Sequence, residues 1–285
     1  MGASIAFSLM QKGLFSELVL IDSNTAKAHG EAMDLSHGLP YTASMDIYAG
    51  SYDDIADSAL IIITAGANQK LRAILPQITS RGFEGILLIV SNPVDVLTYA
   101  AQRISGYPAH RVIGSGTVLD TARLKYLLSR HLGVDGRSVH AVVIGEHGDS
   151  ELAVWSGANV SGIGLDHFCE LRGHFDHAAA MKKIYEDVRD SAYRIIEEKG
   201  ATYYGIAMAV ARIAECIVKD EHAVLPVSTV LQGEYGLKGL ALSIPSVVGK
   251  SGVETVLEIP LSAQESAELQ ASAGGLRRVI ATLPL

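Results

Sequence analysis

The sequence is poor in the features that mark several large classes of protein. Lys and Arg number 23 against 31 Asp and Glu, so the chain lacks the basic surplus that nucleic-acid binding requires. Its two cysteines, Cys169 and Cys216, have no metal-ligand spacing, which predicts two reduced thiols and no metal site. The apolar run ALIIITAGA is far shorter than the ~20 residues of a membrane span, and the N-terminus lacks the basic region of a signal peptide. We therefore expect a cytoplasmic protein whose partners include neither nucleic acid nor membrane.

The composition is that of an ordinary globular protein, with 48% hydrophobic and 19% charged residues in a chain of 285. A chain of this length can form one large domain or two modest ones with a substantial core. Short apolar strands alternate with helices in the first half, which predicts a parallel sheet with right-handed crossovers. The predicted strands span residues 17–22, 59–66, 85–93 and 111–116. The predicted helices span residues 3–13, 24–36, 94–104 and 119–133.

The pattern changes after Val134. Residues 223–259 alternate like antiparallel strands around turns. Further helices are predicted over residues 177–198, 201–220 and 262–282. We therefore predict an α/β protein in which residues 1–115 form a Rossmann-like, doubly wound parallel sheet that binds a dinucleotide. Residues 116–285 are predicted to form an α+β substrate and catalytic domain.

A dinucleotide-binding unit begins with a strand and a G-x-G-x-x-G turn, and only part of this pattern is present. Gly2 occupies the position of the last glycine. We therefore expect the N-terminal domain to be incomplete and its sheet to lack a central strand. Asp22 ends the first predicted strand, where an acid can accept hydrogen bonds from the adenosine ribose of NAD. A solvent-exposed aspartate at a strand end is an equally good interpretation of that residue alone.

Short polar segments follow the next two predicted strands, at the carboxyl ends where open parallel sheets bind ligands. In TAGA, residues 64–67, the glycine lets the backbone approach a phosphate or a ribose closely. In SNP, residues 91–93, Asn92 can hydrogen-bond a substrate or a nicotinamide. The same asparagine can instead cap the helix that Pro93 begins, and the sequence alone leaves both roles open.

Asp120, Arg123 and His147 are the strongest candidates for a catalytic set. Asp120 and Arg123 lie three residues apart on a predicted helix and share one face, so an intrahelical ion pair is the simpler interpretation. The alternative is that Asp120 orients a histidine while Arg123 holds a substrate carboxylate in a two-pronged bond. His147 follows a predicted strand and lies between Gly145 and Gly148, and histidine suits proton transfer near neutral pH.

Four motifs together carry a family resemblance: SNPVDVLTY, VIGSGTVLDTARL, SVHAVVIGEHGDSELAVWS and KGATYYGIA. In this order they closely resemble the bacterial L-lactate dehydrogenases of the lactate/malate dehydrogenase superfamily, over essentially the whole chain. The resemblance implies reversible hydride transfer between NADH and pyruvate to give L-lactate, in glycolysis and pyruvate fermentation. It implies that His147 is the proton donor and acceptor and that Asp120 orients it. The carboxylates nearer in sequence, Glu146, Asp149 and Glu151, therefore receive less weight.

The resemblance also assigns residues to the substrate and to the cofactor. The substrate-binding residues that it implies are Gln69, Asn92, Arg123 and Thr202. The NAD-binding residues that it implies are Gly2, Asp22, Lys27, Gly66, Ala67, Val90, Ser91, Asn92, Ser115 and Ile206. Gln69 discriminates within the superfamily, because malate dehydrogenases place there an arginine that pairs with the second carboxylate of oxaloacetate. A neutral glutamine suits the methyl group of pyruvate, since an unpaired buried arginine would be costly.

Assembly and regulation follow from the same resemblance. It implies a homotetramer, and many bacterial relatives bind a sugar bisphosphate where subunits meet. The matching positions for such an allosteric anion site are Lys125 and His140. Relatives often have an arginine at the first position, whereas a lysine offers a point charge without a forked pair of donors.

The sequence departs from the family directly after Gln69 and Lys70. Relatives continue there with a mobile loop, commonly Pro-Gly-Glu-Thr-Arg, and most of a helix, whereas Leu71 follows at once here. The missing arginine polarises the substrate carbonyl and the loop closes over the site, so a chain without both would be a poor catalyst. Three hypotheses stay open: an active L-lactate dehydrogenase, a non-catalytic homologue with a binding or assembly role, and a dehydrogenase of malate or another 2-hydroxy acid. An intact mass near 30.2 kDa would identify the gap as a true deletion.

Overall fold

The structure is a computed structural model that describes residues 1–66 and 68–283. Its helices are α1 (Gly2–Lys12), α2 (Thr25–His37), α3 (Asn68–Thr79), α4 (Val94–Ser105), α5 (Val118–Leu132), α6 (Leu165–Leu171), α7 (His177–Lys199), α8 (Tyr204–Lys219) and α9 (Ala263–Ile280). Its strands are β1 (Glu17–Leu20), β2 (Asp46–Ala49), β3 (Leu60–Ile63), β4 (Ile86–Ile89), β5 (Val112–Gly114), β6 (Val139–His140), β7 (Val143–Gly145), β8 (Glu151–Ala153), β9 (Asn159–Val160), β10 (Ile163–Gly164), β11 (Ala223–Gln232), β12 (Lys238–Gly249) and β13 (Gly252–Val256). None of the helices in these two ranges is long and apolar enough to cross a membrane.

The first half has the parallel strands and flanking helices that the sequence predicts. β3 pairs with β4, and β4 pairs with β5, both in parallel. The side chains of β4 are all buried, as expected of a strand covered on both faces. The predicted fold class, a Rossmann-like parallel sheet with an α+β second part, is confirmed. The predicted strands are two to five residues too long, because the predictions included the polar, Gly and Pro residues that follow the paired positions.

The parallel strands are divided between two separate sheets. β1 pairs with β2 in a two-stranded sheet, whereas β3 begins an eight-stranded one. No strand of the described residues joins β1 to β3. Ile5 and Leu9 of α1 pack in one apolar cluster with Leu18 of β1 and Leu60 of β3. Apolar packing under α1 therefore connects the two sheets. The sequence pattern did not predict β2.

The eight-stranded sheet runs through both halves of the chain. β11 and β12 form a long antiparallel pair, and β11 also pairs with β5 at Ser228 opposite Gly114. The strand order is β3-β4-β5-β11-β12-β7-β8, with β13 attached to β12. The sheet therefore passes the predicted boundary near residue 115 without a break, and the division into 1–115 and 116–285 stays a prediction.

Two local differences from the predicted elements bear on the site. α8 begins at Tyr204, so Thr202 lies in the preceding loop and not on the helix. α3 begins at Asn68 and continues without interruption through Lys70 and Leu71. The residues on either side of the expected gap are thus consecutive positions of one helix.

Candidate active site

The structure brings the three predicted catalytic-set residues together around one buried carboxylate. Asp120 is 2% exposed and lies in the first turn of α5, where the helix dipole favours a negative charge. Its Oδ2 lies 2.6 Å from Nδ1 of His147, and its Oδ1 accepts a hydrogen bond from Nη1 of Arg123 at 2.7 Å. The ion pair between Asp120 and Arg123 and the pair between Asp120 and His147 therefore coexist, and the two sequence interpretations do not exclude each other.

The turn that carries His147 is fixed by the strands on either side. β7 and β8 pair antiparallel with Gly145 opposite Glu151, and the residues between them form the turn. Gly145 has a φ of 92°, a left-handed conformation in which a side chain would be strained. The backbone N–H of Glu146 donates to Oγ of Ser272 on α9 at 3.0 Å. These restraints hold the imidazole against α5.

The electrostatics of this pair favour a protonated histidine. Burial alone lowers the pKa of His147, but the hydrogen bond and the negative charge of Asp120 outweigh it, so that the pKa is raised to about 9. With Nδ1 engaged by Asp120, Nε2 is the ring nitrogen available to a substrate. The arrangement can therefore hold a proton at neutral pH and present it to a carbonyl oxygen.

Asp95, which the sequence did not single out, binds the backbone of the histidine turn from α4. Asp95 is 1% exposed and accepts hydrogen bonds from the backbone N–H of His147 at 2.7 Å and from Oγ of Ser228 at 2.6 Å. Oγ of Ser243 donates a longer bond of 3.3 Å. Burial raises the pKa of Asp95 to about 6, although these hydrogen bonds oppose the rise. An isolated acid among the apolar residues of VDVLTYAA is the signal that could have identified it.

Glu151 also belongs to this cluster, contrary to the low weight given to it from the sequence. Its side chain is buried, and oxygen or nitrogen atoms of Asp120, His147 and Glu151 lie within 4.8 Å of one another. Burial raises the pKa of Glu151 to about 8, and the neighbouring charge of Asp120 adds to the rise. The pairing of β7 with β8 places it there, and strand register is not visible in the sequence.

The predicted cofactor residues of the first half gather at the carboxyl ends of β3 and β4. A Cβ atom on Gly2 would come within 3.2 Å of Oγ1 of Thr64, so the N-terminus of α1 lies against the residues that follow β3. Gly66 is partly buried beyond that strand, while Val90 and Ser91 are buried beyond β4. Ser115 is buried beyond β5. Ala67 lies outside the described residues.

Asp22 and Lys27 lie at the carboxyl end of β1, beside the start of α2. Asp22 is exposed, and its Oδ1 accepts the backbone N–H of Asn24 at 2.9 Å. Asp22 also lines a groove of about 420 Å³ with His29 and Gly50, among other residues. Lys27 is exposed, and its backbone N–H donates to the side chain of Asn24. The lining of this groove therefore includes one carboxylate.

The predicted substrate residues other than Arg123 stand at the ends of three helices. Asn92 is exposed and Pro93 is the N-cap of α4, without a side-chain cap, so the capping alternative for Asn92 is wrong. Gln69 is exposed in the first turn of α3. Thr202 is partly buried before α8, and Ile206 packs on the core from the first turn of that helix. Among the described residues, no hydrogen bond of these four to His147 is present.

The two residues of the predicted allosteric anion site lie on neighbouring elements. Lys125 is partly buried on α5, and His140 is exposed on β6, which packs against α5. The two buried cysteines are both free thiols, as the sequence predicts.

Known proteins and family models match this sequence over almost its entire length. Two protein-family models match the sequence. Residues 1–71 and 71–114 match the family "lactate/malate dehydrogenase, NAD binding domain". Residues 117–283 match the family "lactate/malate dehydrogenase, alpha/beta C-terminal domain". Curated L-lactate dehydrogenases of Acetivibrio thermocellus and Moorella thermoacetica are 48% and 49% identical to the whole chain, which covers 94% and 95% of their lengths. The crystal structure of minor L-lactate dehydrogenase from Enterococcus mundtii in the ligands-bound form superposes with a TM-score of 0.96 at 39% identity, over 100% of this chain and 96% of that one.

The same comparisons locate a shortened segment. The alignments with the two curated relatives extend over 299 and 300 positions, more than the 285 residues of the chain. The match to the NAD-binding domain is split at Leu71. The split coincides with the departure after Lys70 that the sequence predicts.

Proposed function

Because the chain belongs to the lactate/malate dehydrogenase family, we propose that it is an NAD-dependent L-lactate dehydrogenase that interconverts pyruvate and L-lactate. The observation that carries this proposal is the buried Asp120 carboxylate, divided between His147 at 2.6 Å and Arg123 at 2.7 Å. A proton carrier and a carboxylate-binding cation held side by side match a substrate with a carbonyl next to a carboxylate. The curated relatives do not favour a non-catalytic homologue.

The first half of the chain suits NAD. The N-terminus of α1 at Thr64 offers free backbone N–H groups for a pyrophosphate. Asp22, on the rim of its groove, would accept hydrogen bonds from the adenosine ribose. Lys27, Gly66, Val90, Ser91, Ser115 and Ile206 complete the proposed cofactor site, and Ala67 stays a sequence prediction. When bound, the reduced cofactor supplies the hydride.

His147 would donate a proton in one direction of the reaction and accept it in the other. The imidazolium gives its Nε2 proton to the substrate oxygen as the carbonyl is reduced, and takes it back when lactate is oxidised. Asp120 fixes the ring through Nδ1 and stabilises the imidazolium, which keeps the proton available at neutral pH. Asp95 fixes the backbone of the same residue, so that ring and backbone are both restrained.

Arg123, Asn92, Thr202 and Gln69 would hold the substrate. Arg123 is held by Asp120 through one nitrogen, which leaves other donors of its guanidinium for the substrate carboxylate. Asn92 and Thr202 would line the pocket. Gln69 carries no charge to pair with a second carboxylate, so we propose a preference for pyruvate over oxaloacetate.

The proposals on assembly, regulation and cellular role rest on exposed apolar side chains and on family membership. The neighbouring helices α1, α2 and α8 expose large apolar side chains that suit burial between subunits, namely Phe7, Met33, Tyr204 and Met208. We propose a homotetramer, with Lys125 and His140 as an anion site for a sugar bisphosphate. A cytoplasmic place in glycolysis and lactate fermentation follows from the same family membership.

Turnover of pyruvate with NADH tests the central proposal. We expect the wild type to oxidise NADH with pyruvate, and to give a lower specificity constant with oxaloacetate and with 2-ketoisocaproate. His147→Ala should lower the pyruvate rate by about 10²- to 10⁴-fold while leaving NADH affinity intact. Equal pyruvate rates in wild type and variant would contradict the role of His147, and a preference for oxaloacetate would contradict that of Gln69.

A further inference from the structure

Glu151 is a buried acid of the site that the proton transfer described above does not use. Its side chain is 4% exposed, and no hydrogen bond reaches its Oε1 from any described residue. A buried carboxylate that lacks a donor is costly, whereas the neutral acid avoids most of that cost. Asp120, by contrast, has a donor on each of its oxygens. The two neighbouring carboxyl groups therefore differ in their hydrogen bonding: both oxygens of Asp120 are bonded, whereas Oε1 of Glu151 is not.

The neighbours of Glu151 decide what its proton affects. Asp120 and Arg123 face it from α5, His147 faces it from the β7–β8 turn, and Arg189 faces it from α7. The hydroxyl of Tyr185, also on α7, donates to the backbone carbonyl of Glu151, which fixes the strand but leaves the carboxyl group unpaired. Asp95 faces His147 from α4, and Glu146 precedes His147 in the same turn.

We propose that Glu151 is a positioning residue that holds a second proton beside the Asp120–His147 pair, and that its ionisation makes His147 retain its own proton more strongly. Burial without a hydrogen-bond donor on Oε1 raises the pKa of this carboxyl group to about 8, so its surroundings favour the neutral acid near neutral pH. Once ionised, its negative charge stabilises the imidazolium, which then gives its proton to a substrate less readily. The same charge weakens the attraction of Arg123 for a substrate carboxylate. This last consequence rests on the proposed function, whereas the coupling of the two protons does not.

The titration of the His147 ring in the full chain tests the coupling directly. Histidine labelled with ¹⁵N reports the charge of each ring by NMR, and the His147→Asn variant identifies the His147 signal. We expect the wild-type curve to show a first small step as Glu151 ionises and a second, larger step as His147 loses its proton. In Glu151→Gln the first step should vanish, and the midpoint of the second should fall by roughly 1 pH unit, since an opposite charge has been removed.

Glu265 provides a matched control. It is also a buried glutamate, 6% exposed, but its carboxylate accepts bonds from the backbone N–H and Oγ of Ser156 and from the backbone N–H of Ser262. Glu265→Gln should therefore leave the His147 titration as in the wild type. A single-step wild-type curve would overturn the proposal even if Glu151→Gln failed to fold, and so would an unchanged midpoint in a folded Glu151→Gln protein.

Binding of oxamate, an unreactive analogue of pyruvate, separates this inference from the proposed function. We expect its affinity for the wild type, with NADH present, to fall in two steps as the pH rises, and in one step for Glu151→Gln. If oxamate binds but the His147 midpoint is the same in both proteins, the inference fails and the proposed function stands. If the midpoint moves but oxamate does not bind, the coupling stands and the proposed function fails.

Discussion

Two regions of this protein differ in burial and hydrogen bonding. The proton-handling region consists of His147 and the buried acids Asp95, Asp120 and Glu151, and the cofactor-side region consists of β1, β2 and the start of α3. Around His147 the buried acids Asp120 and Asp95 are bonded to the histidine from α5 and α4, beside the β7–β8 turn of the eight-stranded sheet. On the other side β1 and β2 form a small separate sheet, β1 is largely exposed or half-buried, and Gln69 and Lys70 at the start of α3 are exposed. The groups proposed to move the proton are therefore buried and directly hydrogen-bonded, whereas the groups proposed to bind the cofactor are more exposed and lie on two separate sheets.

This difference separates two requirements of one reaction. Holding a proton at a defined atom depends on buried charges and short hydrogen bonds, which the C-terminal half and α4 provide by themselves. Excluding water and stabilising charge on the substrate oxygen depend on a closing loop. A chain can hold the proton correctly without a loop that closes over the substrate. We therefore expect pyruvate to be reduced by the proposed proton transfer, but at a reduced rate.

The largest expected effect comes from restoring the shortened segment. Insertion between Lys70 and Leu71 of a segment that begins with Pro-Gly-Glu-Thr-Arg, the loop that the family resemblance implies here, should raise kcat for pyruvate reduction by about 10²- to 10³-fold. Steady-state kinetics with NADH measure this change. An insertion of equal length with its arginine replaced by alanine is the control and should recover less. If the unaltered chain already matches the insertion variant, the contrast between the two regions has no consequence for catalysis.

An intermediate effect is expected from weakening the proton-handling region at Asp95. Asp95→Asn places an amide N–H₂ among the donors of Ser228 and of the His147 backbone, which should displace the imidazole. We expect kcat for pyruvate to fall by up to about 100-fold while the KM for NADH stays the same. Ser243→Ala removes only the 3.3 Å bond and should cost less. A kcat that is equal in wild type and Asp95→Asn would show that the ring is positioned by Asp120 alone.

The smallest effect concerns the stability of the proton-handling region against pH. The folded pKa values of Asp95 and Glu151, about 6 and about 8, exceed their ordinary values, so the folded chain holds protons that the unfolded chain has lost. The free energy of unfolding should therefore fall as the pH rises from about 4 to 8. The raised pKa of His147 extends the fall to about 9, because the stability from its pairing is complete only below its ordinary pKa.

Thermal unfolding at a series of pH values checks this direction. Between pH 5 and 9 the loss of stability should be smaller in Glu151→Gln than in the wild type by more than about 1.4 kcal/mol, the equivalent of one pKa unit. Glu265→Gln should show the same pH dependence as the wild type, at a lower overall stability. Parallel curves for wild type and Glu151→Gln would mean that Glu151 is ionised in the folded protein.

Features that depend on residues close together in the chain could be predicted from the sequence, whereas contacts between distant residues could not. The shared helix face of Asp120 and Arg123 depends on the helical repeat alone, and the alternation of strands and helices is equally local. The contact of Ser228 with Asp95 joins residues 133 positions apart, and the sequence offers no sign of it. Glu151 was given too little weight for the same reason, because its burial depends on α5 and α7 packing over β8.

The sequence by itself determined the α/β class and the family, and it supplied the three residues that we propose as proton carrier, orienting carboxylate and substrate-binding arginine. Tertiary structure alone decided that β5 joins β11 in one continuous sheet and that β1 and β2 stand apart from it. It also decided which acids keep their protons. Periodicity and motif are properties of neighbouring residues, whereas burial, strand pairing and the pKa of a buried acid depend on groups that only folding brings within a few ångströms.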